Sequence, residues 1–317
     1  MHTFFLLSAL FLAAGVGVVG AVLLRVLPVG GRRPLALTVL GLPPAILMLA
    51  ATHLVPQFWR ECAPLVGWDR VASLGLLGLL GIIGAVGVGV NLARLALVDR
   101  LLPACAQLSD PPLQAELALL AKRLGLRTPD VRVLRSDSPL AVAGGFRQPS
   151  IVLSTWLVEQ LDTQELESVL SHELAHLARH DYLTRWLARL LRDATAYLPS
   201  GWYAVRVLET DEEVAADALA VQATRQPLAM ASALGKVWRA LATPRPAGLA
   251  GWPAYAGASI ALLEERLNRL MAVQAQPRHT LLSRVLAGLT VLSVGGLAPR
   301  LLALSATVLP LMCTMRY

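Results

Sequence analysis

The chain has little charge for its length. Of its 317 residues 15% are Asp, Glu, Lys or Arg and 5% are aromatic, while 56% are hydrophobic. The mean hydropathy of +0.59 exceeds that of a soluble globular domain, so the composition is that of a membrane protein. Cysteine is also scarce. Cys62, Cys105 and Cys313 are odd in number and far apart, which excludes a disulfide framework or a zinc knuckle and leaves them structural roles. The formal charge is +7, yet no basic run carries interleaved aromatics, and this excludes nucleic acid as a partner. The basic excess reads instead as the positive-inside bias of a protein with several spans in the lipid bilayer.

Long apolar runs are what the chain does have. Residues 4–24, 35–55 and 71–93 are each about the length that crosses a bilayer core, which predicts three transmembrane helices. The first lacks a basic leader, is too long for a signal-peptide core and ends in no small-residue cleavage site, so it reads as a span. A fourth stretch, 285–312, carries Pro299 and Arg300 in its middle. Either residues 281–298 span and the rest lies at the far interface, or one kinked helix runs almost to the C-terminus. The first connecting loop holds Arg25, Arg32 and Arg33 without an acid, whereas residues 56–70 balance Arg60 and Arg70 against Glu61 and Asp69. That asymmetry puts the first loop in the cytoplasm and the N-terminus outside. The expected organisation is three transmembrane helices in 1–97, a cytoplasmic domain in 98–280 and a C-terminal transmembrane helix in 281–317.

Between the third and fourth spans the composition becomes mixed. "SDPPLQAELALLAKRLGL" predicts a helix capped by Ser109 or Asp110, with prolines in its first turn and apolar periodicity as far as Leu126. "VRVLR" and "PSIVLST" read as strands, and "PLAVAGGF" leads into the second of them, which suggests a small sheet. Asp162 and Glu165 form a capping box ahead of "LESVLSHELAHLARHD", a helix with Leu166, Val169, Leu170 and Leu177 on its buried face.

That helix carries His172 and His176 four residues apart, hence on one side and one turn from each other. Catalytic zinc needs three protein ligands and a water in the fourth position. His-Glu-x-x-His supplies two ligands, and Glu173 is placed to take a proton from that water as general base. The motif alone arises by chance in about one chain in a hundred of this length, so a second signal is required. "ETDEEVAADALAV" provides one: Glu213 is a candidate third ligand, and Asp217, one turn on, can accept the free N–H of a ligating histidine. Glu212 is the rival, but four residues beyond it stands Ala216, which offers no such support. His180, Arg179 and Asp181 read as the exposed end of the zinc helix. His2, His53 and His279 lack partner spacing and are not expected to bind metal.

With these residues in hand, the chain resembles the zinc-dependent membrane peptidases of the gluzincin type, and most closely the M56 family that includes the antibiotic sensors BlaR and MecR. "SPLAVAGGFRQPSIVLSTWLVEQLDTQELESVLSHELAHLARHD" is similar to that family's run from edge strand through zinc helix. Glu213 with "AAD" falls where the family has its glutamate ligand and following aspartate, and "LLEERLNRLM" resembles its closing segment. The resemblance implies an α+β, zincin-like (gluzincin) metallopeptidase domain set between the third and fourth transmembrane helices. Two departures qualify it. The sensors carry a penicillin-binding domain after the final span, whereas here the sequence stops at Tyr317, so β-lactam sensing by this chain alone is not expected. The sensors also commonly have cysteine before the aspartate, where this chain has Ala216, as does the M48 family of HtpX-type peptidases. M48 is the second resemblance, set back by three spans before the zinc helix and by the absence of His-Pro before "LEERLNRL".

The resemblance implies an integral-membrane zinc metalloendopeptidase. A peptide or protein substrate would add as a strand along Leu140, Ala141, Val142, Ala143, Gly144 and Gly145, since main-chain pairing positions a scissile bond without demanding a sequence. A BlaI-type transcriptional repressor is the substrate the family suggests, with the signal arriving from a sensor partner or from the external loop around Trp59 to Trp68. Arg266 is by analogy a candidate oxyanion stabiliser, an ion pair with a nearby glutamate being the alternative. Residues 182–205 are amphipathic with tryptophans towards their ends, and fit either a membrane-interface segment or a core helix hairpin. Residues 243–259 are Pro/Gly-rich and read as a loop able to gate the cleft. Other classes fare worse: a non-catalytic scaffold would not need Glu173, and a transporter would carry more polar groups in its spans than His53, Asn91 and Arg300.

Overall fold

The structure is a computed structural model that describes residues 2–29, 31–59, 67–101, 106–107, 111–144, 149–242, 266 and 270. It divides into two compact units. Among the described residues the first comprises those up to Ala93 together with Arg185–Asp211, and the second Arg94–Thr184 with the residues from Glu212 onward.

The first unit holds α1 (His2–Val26), α2 (Arg33–Trp59) and α3 (Gly67–Leu101). All three are long and apolar enough to cross a membrane, which makes this a membrane protein. The expected fourth span, the cysteines, His279 and the 243–259 loop lie outside the described residues, and of His2 and His53 only the backbone is described. α1 and α2 meet closely at Gly20, where any side chain would overlap Val39. The first turn of α2 is capped from afar: Arg32 N donates to Asp211 Oδ2 at 2.7 Å, satisfying an amide that a helix start leaves open. Two more helices contribute to this unit, α7 (Asp181–Ala194) and α8 (Pro199–Thr224). Their residues Ala188, Ala204, Val205 and Leu208 share a core with Leu24, Leu27, Leu35 and Leu40.

The second unit is α+β. α4 (Pro111–Arg123) precedes β2 (Asp130–Leu134) and begins on the two prolines, as expected. It ends three residues short of the apolar periodicity because Gly125 turns left-handed (φ 72°). Leu126 N then bonds Ala121 O at 2.8 Å and Gly125 N bonds Lys122 O at 3.1 Å, the pair of contacts by which a glycine closes a helix. The sheet order is β1 (Ala106–Gln107), β2, β4 (Ser150–Ser154), β3 (Ala141–Gly144). β2 and β4 are parallel, while β1 and β3 run antiparallel to their neighbours. Every residue of β4 is buried, which fits the unbroken apolar run of a central strand. Among the described residues β3 lies at the sheet edge, and Gly145 falls outside them.

α5 (Thr155–Gln160) leads into α6 (Thr163–Ala178). The expected capping box is present: Asp162 Oδ1 accepts from Glu165 N at 2.9 Å, and Glu165 Oε2 accepts from Asp162 N at 2.9 Å. Glu165 is fully committed, since it also takes Ser232 Oγ at 2.7 Å and Lys236 Nζ at 2.6 Å from α9 (Pro227–Ala242). This straps α9 to the head of α6. Leu166, Leu170, Leu174 and Leu177 then pack into one core with Leu117, Leu120, Ile151 and Leu153. Each such leucine contributes about 1.5–3 kcal/mol by burial, so the helix that presents the histidines is anchored along its whole opposite face.

Candidate metal centre

α6 and α8 bring three side chains together. His172 Nε2 and His176 Nε2 are 3.1 Å apart, and Glu213 Oε2 and Oε1 stand 3.4 Å from His172 Nε2 and His176 Nε2 respectively. These residues form a group that could hold a metal ion. Donors at zinc–ligand distances on tetrahedral corners stand about 3.3–3.5 Å from each other, so two imidazoles and a carboxylate are spaced and typed as zinc requires. The imidazoles are buried, while the Glu213 side chain keeps 19% exposure.

Each histidine turns its other nitrogen to an aspartate. His176 Nδ1 is 2.9 Å from Asp181 Oδ2, and His172 Nδ1 is 3.0 Å from Asp217 Oδ1, a charge contact whose direction departs from that of a hydrogen bond. Each aspartate in turn meets an arginine. Arg179 Nε donates to Asp181 Oδ2 at 3.0 Å. Arg266 Nε and Nη2 grip the two Asp217 oxygens at 2.7 Å each, and its Nη1 lies 3.1 Å from Glu213 Oε2. The structure thus places Arg266 in an ion pair with Glu213 and Asp217 of α8. Charge–carboxylate contacts of this kind fix a ring's tautomer and orientation.

Asp181 departs from the sequence expectation. The sequence puts it on the exposed end of the helix with Arg179 and His180, and it is instead 0% exposed. The reason is the turn. His180 adopts a left-handed conformation (φ 54°), which ends α6 and swings the next residue back under His176. His180 itself is exposed. Glu212, the rival to Glu213, is also 0% exposed but is not among the converging donors. Glu173 is buried on the same helix turn as His172.

Burial alone would strip these groups of charge, and the pairing reverses it. Burial lowers the pKa of His172, but Asp217 and Glu213 outweigh it and raise the imidazole to about 9. His176 is raised in the same sense, burial being overcome by Asp181 and Glu213. Glu213 is held well below the usual carboxylate range because the two imidazoles exceed its burial penalty. Asp217 and Asp181 are lowered likewise against their burial, the first by Arg266 and His172, the second by His176 and Arg179.

The family model described as BlaR1 peptidase M56 matches residues 65–246, more than half of the chain. The chain belongs to the M56 peptidase family. It is also similar to proteins of the second resemblance. A Protease HtpX homolog of Acidiphilium cryptum (strain JF-5) is 31% identical over 167 residues, 41% of this chain and 57% of that protein. One of Bacteroides fragilis (strain YCH46) is 27% identical over 156 residues, 36% and 48% of the two chains. One of Thermococcus kodakarensis (strain ATCC BAA-918 / JCM 12380 / KOD1) is 35% identical over 100 residues, 30% and 34%. The chain therefore spans little more than half the length of the first of these relatives and less of the others.

Proposed function

We propose that the chain is a membrane-embedded zinc metalloendopeptidase with His172, His176 and Glu213 as metal ligands and Glu173 as general base. The observation that carries this reading is the convergence of two imidazole nitrogens and a carboxylate at 3.1–3.4 Å, one residue from a buried glutamate on the same helix. Zinc, when bound, supplies Lewis acidity that polarises a carbonyl and makes water a nucleophile near neutral pH. The residues do the rest. Asp217 and Asp181 hold the imidazoles so that both Nε2 lone pairs point to one place. Glu173 takes the proton from the attacking water and returns it to the departing amine, which leaves a free carboxylate and an amine. Arg266 bridges Glu213 and Asp217 and offsets part of their negative charge, and this favours an anchoring role for it over direct oxyanion contact.

The edge position of β3 supports a substrate bound as an added strand along Leu140 to Gly144. The substrate class is a cytoplasmic or membrane-proximal protein segment, with the catalytic unit on the cytoplasmic side as the loop charges imply. Membership of M56 favours a repressor-like signalling substrate and a sensor partner. Similarity to Protease HtpX homologs favours a second reading, general proteolysis of membrane proteins. Purified full-length protein incubated with casein and followed by mass spectrometry tests the shared core. Cleavage that zinc chelation stops and Glu173→Gln abolishes is expected, and cleavage that survives Glu173→Gln would end the reading.

A further inference from the structure

Helix α7 is turned inside out for a helix in water. Leu183, Leu187, Leu190 and Ala194 recur at a spacing that puts them on one face, and Arg185, Arg189 and Arg192 occupy the opposite one. A helix bathed in water shows its arginines and hides its leucines. Here Leu183 and Leu187 are 42% and 41% exposed, whereas the side chains of Arg189 and Arg192 are 20% and 14% exposed.

The arginine face is turned to protein. Arg189 Nη2 donates to Glu209 Oε1 at 2.7 Å. Arg192 Nε donates to Asp193 Oδ1 at 2.7 Å, and its guanidinium lies 4.4 Å over the Trp202 ring. Asp193 Oδ2 accepts from Asn91 Nδ2 at 2.8 Å, and Asn91, 2% exposed, lies inside the apolar stretch of α3. One turn earlier, a Cβ on Gly87 would stand 2.5 Å from the Asp193 carbonyl oxygen, so α3 and α7 approach backbone to backbone. Ala188 shares its core with Leu24 and Leu40 of the first two spans. α7 is therefore fastened to membrane helices whose own outward residues, among them Phe11, Val18, Ile82 and Val86, are exposed and apolar.

We infer that α7 is an in-plane membrane helix whose leucine face lies in the acyl-chain region of the bilayer, with Trp202 at headgroup level. Its 14 residues rise about 21 Å, too little to cross a core of about 30 Å, so it runs along the interface. Trp202 suits that depth, being 44% exposed with its Nε1 already donating to Ala196 O at 3.1 Å. The inference uses the two faces of α7 and no metal-centre chemistry, so it stands or falls separately from the peptidase reading.

Spin labels test it on the full chain in discs of phosphatidylethanolamine and phosphatidylglycerol. In a Cys62→Ser, Cys105→Ser, Cys313→Ser background, a nitroxide is placed at Leu183→Cys, Leu187→Cys or Leu190→Cys, with exposed Gln222→Cys on α8 as the water-facing reference. Collisions with oxygen should exceed those with a water-soluble nickel chelate along the leucine face and fall below them at 222. Dominant nickel collisions at 187 would mean water covers the face and would overturn the inference. An immobilised label reached by neither would mean that protein covers it, such as a second copy of the chain, and would overturn it equally. Should the cysteine-free background not fold, brominated lipids answer in the native chain. They should quench a share of tryptophan emission that Trp202→Phe removes, and an unchanged quenched share refutes the placement.

Discussion

Replacing Asp181 by alanine removes the acceptor on which His176 Nδ1 rests. Asp181 is 0% exposed and its Oδ2 serves both His176, at 2.9 Å, and Arg179, at 3.0 Å, so no water stands ready to take its place. A buried donor left without a partner costs about 1–3 kcal/mol. That range matches the roughly 10 to 100-fold loss of metal affinity expected when the partner of a ligating histidine is lost. The carboxamide of Asp181→Asn can still accept from Nδ1 but brings no charge to the imidazole, so its loss should sit at the lower end, about tenfold. Zinc dissociation constants from competition with a chromophoric chelator give the comparison, and thermal unfolding of each variant shows whether the fold survived. A folded Asp181→Ala protein that binds zinc as the parent does would refute the claim that Asp181 positions His176.

Two further expectations rest on charge and on packing. His172 is raised to about 9 by Asp217 and Glu213 against its burial, so in protein stripped of metal it carries a proton at neutral pH that zinc must displace. Its pairing then stabilises the stripped protein fully below about 6.5, and the contribution is lost as pH rises through about 9. Zinc affinity runs the other way, gaining up to about tenfold per unit as pH approaches 9. Calorimetry at pH 7 in buffers of different ionisation enthalpy should count at least about one proton released per zinc, and no release would mean His172 is already neutral. Gly87→Ala should force α3 away from Asp193 and destabilise by about 1–3 kcal/mol, whereas Gly78→Ala, with nothing within 4 Å of its new Cβ, should change little. Equal thermal shifts for the two would dismiss the close approach.

What the sequence made legible follows from the range of each interaction. The His172–Glu173–His176 ladder, the Asp162–Glu165 box and the short apolar runs of β2 and β4 are local, and the order of residues along the chain encodes them. Asp217 was reachable because it lies one helical turn from Glu213 and chemistry demands a partner for a ligating imidazole. Asp181 was not, because a left-handed His180 breaks the period by which helix faces are read, and a histidine gives no glycine-like warning of it. The Arg266–Asp217 grip joins positions 49 residues apart, and only the folded chain shows it. Residues 182–205 left two readings open, since periodicity reports amphipathicity but not which face meets the protein. The burial of the arginine face over the leucine face supplies that missing direction.

Bound zinc per chain in Glu213→Ala, set beside Glu173→Gln and Glu212→Gln, tests the central claim most directly. Glu212 is fully buried, so the glutamine substitution preserves its volume where alanine would open a cavity. Glu173→Gln and Glu212→Gln should keep zinc near stoichiometric, and Glu213→Ala should lose most of it, because it removes one of three ligands. Zinc retained in Glu213→Ala and lost in Glu212→Gln would transfer the ligand role to its neighbour, and zinc retained in all three would contradict a metal centre built from α6 and α8.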